Sequence, residues 1–142
     1  MAVSLSLIVN LLAIWDPHSQ YSSAQWQVAQ EQASIFGTEQ TPNPEAVLRR
    51  LGFTIEYKLL SVPGLLVWGR VILNEKRVYL DREALTFLSK SGISLAIKNS
   101  LDDAWPKRLV LAHELFHILA STRQIEHSEL AAIIFACNCL WG

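Results

Sequence analysis

The chain has 142 residues, is 51% hydrophobic and 18% charged, and carries a formal net charge of −1. That length suits one domain spanning residues 1–142, and the composition excludes collagen-like and intrinsically disordered chains. With no basic surplus and no acidic tail, direct nucleic-acid binding is not expected.

The chain opens on an apolar run, VSLSLIVNLLAIW (Val3 to Trp15), and its first Lys or Arg is Arg49. A secretory leader carries a basic start and a small-residue cleavage site, and a bilayer span takes ~20 residues. The run therefore predicts a buried helix or strand rather than a targeting or membrane segment, and Asp16-Pro17 ends it. Ser22 or Ser23 caps a helix through AQWQVAQEQASIF, with Trp26, Val28, Ala29, Ala33 and Phe36 as its apolar positions and Gly37 as its end. TEQTPNP (Thr38 to Pro44) reads as a loop. Asn43 then caps PEAVLRRL, with Pro44 at the first helical position and Gly52 beyond its end.

FTIEYKLL alternates Phe53, Ile55, Tyr57 and Leu59 with more polar residues, the pattern of a half-buried strand. Leu59 to Leu66 reads as core or as a dimer surface, with a turn at Pro63-Gly64. LLVWGRVIL and RVYL, joined through Asn74-Glu75-Lys76, predict a β-hairpin. DREALTFLSK predicts a helix ending near Ser91-Gly92, and ISLAIKN is a strand or an insertion. Ser100 with Asp103 resembles a capping box for a helix that starts near Leu101, or at Pro106, and runs through Ala120. A last helix covers roughly Ile125 to Leu140. The expected class is α+β, with helices around a small antiparallel sheet. Cys137 and Cys139 are badly spaced for a mutual disulfide and no third cysteine exists, which points to reduced, buried thiols and to the cytoplasm. The tryptophans show no helical spacing and read as packing residues.

The chemistry lies in LVLAHELFHILAS, where His113, Glu114 and His117 are the only ionisable groups between Arg108 and Arg123. Burying two imidazoles and a carboxylate without partners costs several kcal/mol. They spell H-E-x-x-H. On a helix, side chains four apart stand one above the other, so both imidazoles can meet one zinc ion. Glu114 lies about 100° round the helix, flanking the metal without ligating it, where it can act as general base. A catalytic zinc usually takes a third protein ligand. The extended motif is missing, because Ala120 and Arg123 stand where its Gly and third His would be. Glu126, His127 and Glu129 are the candidates near the start of the last helix. Glu129 is favoured because the apolar Ala132, Ile133 and Ala136 follow it on one face. Tyr57, Tyr79, His127 and Arg123 are candidate donors to an oxyanion.

RLVLAHELFHILA followed by ELAAIIFA resembles the ImmA/IrrE-type metallopeptidases, which typically read TLAHELGH and then E-x-x-A-N-x-F-A. PEAVLRRLGFTIEY resembles the helix and strand that precede the site in that family. The resemblance covers roughly residues 45 to 140, with an apolar N-terminal segment (1–37) ahead of a zincin-like core (44–140). It places Glu129 on the ligand glutamate of a Zn2+ site completed by His113 and His117, with Glu114 catalytic. It implies an endopeptidase acting on a protein substrate, often a separate helix-turn-helix repressor, in stress response or mobile-element induction. Phe116 replaces the usual Gly, where it is expected to narrow the cleft, and Ile133 replaces the usual Asn. The rival expectation is a non-catalytic partner-binding domain that keeps the zinc site.

Overall fold

The computed structural model describes residues 5–17, 20–36, 43–91 and 104–141. The expected helix end at Gly37, most of the TEQTPNP loop, the ISLAIKN stretch and the Ser100/Asp103 capping box lie outside them. The apolar N-terminal run forms α1 (Leu5–Trp15) and buries Ile8, Leu11, Leu12 and Trp15. Those positions recur at intervals of three or four, so they share one helix face. Among the described residues no helix is long and apolar enough to cross a membrane.

Ser22 is the cap of α2 (Ser23–Ala33): its Oγ accepts from the Gln25 N–H, and the Gln25 side chain accepts from the Ser22 N–H. Ala29, Ala33 and Phe36 are buried as expected, whereas Val28 faces solvent. Asn43 Oδ1 accepts from the Ala46 N–H at the start of α3 (Pro44–Arg50). Gly52, at φ +90°, turns the chain out of that helix, a conformation that favours glycine.

Three short strands follow: β1 (Thr54–Tyr57), β2 (Gly69–Ile72) and β3 (Arg77–Leu80). The expected hairpin is β2–β3, antiparallel, with Val71 opposite Val78. The sheet order is β1-β3-β2, and β1 pairs with β3 in parallel, so the sheet is mixed rather than antiparallel. The physical reason is burial. Val78, Tyr79 and Leu80 are all buried, which makes β3 the central strand, while β1 is largely exposed and takes an edge. The alternation expected through Leu59 fails, since Tyr57 and Leu59 are exposed. Leu59, Val62 and Leu65 are likewise outside the core.

Asp81 caps α4 (Arg82–Ser89) and ties the sheet to the preceding loop. Its fully buried carboxylate accepts from the N–H groups of Leu60 (2.7 Å), Ser61 (2.6 Å) and Ala84 (3.0 Å). Burial opposes its ionisation, but these three backbone donors prevail and hold it below the usual aspartate range. Asp81→Ala would leave the donors buried and unmet. We expect a loss of about 3 kcal/mol in denaturant unfolding. The contribution is present above the ordinary aspartate pKa and disappears as pH falls through the depressed one.

The last two helices are α5 (Trp105–Thr122) and α6 (Glu129–Trp141). Pro106 sits in the first turn of α5, so the later of the two expected starts is the observed one. Every residue from Leu109 to Phe116 is buried, because α5 packs against α3, α4, α6, β2 and β3. α6 begins at Glu129, not Ile125. Gln124 takes a positive φ, the Ile125 N–H bonds to Ala120 O at 2.8 Å, and Ser128 Oγ accepts from the Ala131 N–H. Residues 125–128 are therefore a linker held against both helices.

Candidate metal centre

His113 and His117, one turn apart on α5, aim their Nε2 atoms at one point, 3.3 Å from each other. Ligands at ~2.0–2.1 Å from a tetrahedral ion stand about 3.3–3.4 Å apart, so the two rings already have the separation that zinc requires. Glu129, the first residue of α6, brings its carboxylate to the same point. Oε2 lies 2.8 Å from His113 Nε2 and Oε1 lies 2.9 Å from His117 Nε2. Among the described residues these three form the group able to hold a metal ion, and two imidazoles with one carboxylate are a donor set that catalytic zinc uses. Of the three candidate third ligands, Glu129 alone reaches the cluster. Glu126 is exposed in the linker, its carbonyl held by Gln32 Nε2 at 2.8 Å.

Glu114 is buried at 6% exposure and sits outside the ligand group, on the wall of the groove that holds the three ligand candidates. Its Oε1 lies 3.1 Å from His113 Nδ1, so that nitrogen donates to Glu114 and leaves Nε2 to face the cluster. Strand β2 closes over Glu114 at Gly69, where an added Cβ would stand 3.0 Å from Val110 Cγ1 and 3.3 Å from Glu114 Oε1. Any side chain here would press on these neighbours, which have to give by a few tenths of an ångström, so glycine suits the close approach.

The metal-free cluster stores charge. Burial pushes His113 toward neutrality, but the carboxylates of Glu114 and Glu129 outweigh it and raise its pKa to about 9. Burial likewise opposes ionisation of Glu129, and His113 and His117 reverse that, holding its carboxyl far below the usual range. A raised histidine stabilises the fold fully below its ordinary pKa near 6.5 and ceases to do so as pH rises through about 9. With chelator present, unfolding free energy should thus fall between pH 6.5 and 9, by less than ~3 kcal/mol because half-exposed Glu129 is screened. Saturating zinc should reverse the slope, since protons compete with the metal for the same nitrogens. A flat profile in both series would contradict this charge assignment.

The cluster lies in a groove of about 530 Å³ lined by Trp15, Asp16, residues 66–71 and the four motif and ligand residues. Trp15 stacks on Trp68 at 4.7 Å and tilts against the His113 ring at 4.8 Å, while Trp68 Nε1–H donates to Trp15 O. The N-terminal helix thereby supplies a wall of the site. Beyond these tryptophans an apolar recess of about 830 Å³ continues the groove, with Leu59, Val62, Leu65 and Phe87 on its walls.

The expected oxyanion donors are not brought here. Tyr57 lies under the Arg82 guanidinium, Tyr79 is on the buried central strand, and Arg123 covers Phe36. His127 stands behind His117, with both ring nitrogens occupied. Phe116 does not narrow the cleft: it is fully buried, with its ring against Phe36, Phe135 and His127. Trp15, Trp68, Gly69 and Arg70 were not singled out as site residues from the sequence. A glycine inside the strand GRVI was the one available signal for them. Cys137 is buried among apolar side chains, which push its thiol up to about 12, and it takes no part in the site.

The chain matches no family model, no curated protein and no solved structure.

Proposed function

We propose that the chain is a zinc-dependent endopeptidase acting on a protein substrate, with Glu114 as its general base. The observation that carries this reading is the convergence of His113, His117 and Glu129 on one point, with a buried carboxylate outside the ligand set. Purely structural zinc sites close with four protein ligands, whereas three leave a position for water. Among the described residues no fourth ligand joins the three.

Zinc bound there would lower the pKa of a water toward about 7 and polarise a peptide carbonyl. Glu114 takes the proton of the attacking water and passes it to the departing amine. Arg70 lines the same groove wall as Asp16, Glu114 and Glu129. Two features favour a polypeptide substrate. Among the described residues β2 is an edge strand bordering the groove, where an extended chain can add to the sheet. The adjoining apolar recess offers room for large apolar side chains.

The resemblance to ImmA/IrrE-type peptidases points to a helix-turn-helix repressor as that substrate, a separate cytoplasmic partner. Incubating the zinc-loaded protein with a purified repressor encoded beside it should give defined fragments by mass spectrometry, and a chelator should abolish them. A stable complex with no fragments would favour the partner-binding alternative.

A further inference from the structure

The linker between α5 and α6 places His127 directly behind one of the proposed ligands. His117 Nδ1 lies 2.8 Å from His127 Nε2, and His127 Nδ1 lies 3.0 Å from the carbonyl oxygen of Ile125. The proton positions follow from the end of this chain. A carbonyl oxygen only accepts, so His127 Nδ1 carries the hydrogen. In the neutral ring Nε2 is then a bare acceptor, and the donor facing it is His117 Nδ1–H. That leaves His117 Nε2 as the nitrogen free to coordinate, and it is the one aimed at the cluster.

We infer that His127 is a positioning residue, which fixes the tautomer and ring angle of His117 through the relay Ile125 O, His127, His117. The inference rests on the reading of His113, His117 and Glu129 as a zinc site. A ligating histidine usually donates its second N–H to a carboxylate, carbonyl or water, and removing such a partner typically costs 10–100-fold in metal affinity. Here a second imidazole takes that place. It is itself held: the Ile125 N–H bonds to Ala120 O, Gln32 Nε2–H donates to Glu126 O, and the Phe116 ring meets the His127 ring edge-on at 5.6 Å. Phe116, which stands where the resembled family usually has Gly, thus packs its ring against the relay.

Two measurements test this. Nitrogen-15 NMR of the metal-free wild type should find the His127 hydrogen on Nδ1 and none on Nε2; the reverse would overturn the relay whether or not the protein takes zinc. Zinc affinity by chelator competition should fall 10–100-fold in His127→Phe, which keeps an aromatic ring but no acceptor. It should recover to within a few-fold of wild type in His127→Gln, whose Oε1 accepts from His117 Nδ1–H. Equal affinity in wild type and His127→Phe overturns the inference. Equal loss in His127→Gln and His127→Phe does so too, by assigning the effect to packing of the ring. A wild type that binds no zinc, with His127 protonated on Nδ1, would instead sink the zinc reading and leave the hydrogen-bond chain standing as structure only.

Discussion

Glu114→Gln is expected to lower peptide hydrolysis by about 10²–10⁴-fold, the usual contribution of a positioned general base, while zinc content stays at the wild-type level. The two effects separate because the carboxylate lies outside the ligand group and meets His113 at Nδ1, not at the Nε2 that faces the cluster. A glutamine has the same shape, and its Oε1 still accepts from His113 Nδ1–H, so the ring keeps its orientation. What disappears is the capacity to take a proton. Fragment yields from the co-expressed repressor, with metal analysis of the same preparations, check both halves. If wild type and Glu114→Gln cleave alike, Glu114 is not the base. If neither cleaves and both bind the repressor, the chain is a binding domain.

Glu129→Ala should weaken zinc binding by more than the 10–100-fold expected of an outer-shell change, because it removes one of the three proposed ligands found among the described residues. Glu126→Ala is the matched control, an exposed acidic residue three positions earlier, and should bind zinc as wild type does. Glu126→Ala should fold as wild type, whereas metal-free Glu129→Ala should lose part of the stability that its carboxylate lends to protonated His113, while its helix keeps the Ser128 cap. Affinities from chelator competition decide the matter, and retention of metal by Glu129→Ala would require a different third ligand.

What the sequence made legible was whatever depends on neighbours in the chain. The caps at Ser22 and Asn43, the proline start of α3 and the β2–β3 hairpin each have a local cause, and each is found where it was read. The pairing of His113 with His117 is of the same kind, since helical geometry alone sets it. Strand order is not local. β3 is buried on both faces and takes the centre, with β1 parallel beside it, and neither fact can be read from the period of either strand. The start of α6 was misread because Ile125 looks like a helix residue, whereas its N–H is spent on Ala120 O. Trp15 and Trp68, more than fifty residues apart, meet over His113 only in the folded chain. The same holds for His127: its position in the chain suggested a ligand or an oxyanion donor, but its two hydrogen bonds give it neither role.

The central claim is that His113, His117 and Glu129 hold one zinc with a coordination position left open. Metal analysis combined with X-ray absorption at the zinc edge tests it most directly. The expected result is one zinc per chain, bound by two imidazoles and by oxygen from a carboxylate and a solvent molecule. A chain that binds no zinc at equimolar metal would contradict the claim. So would one that takes iron in preference, or one that shows a fourth protein ligand closing the site.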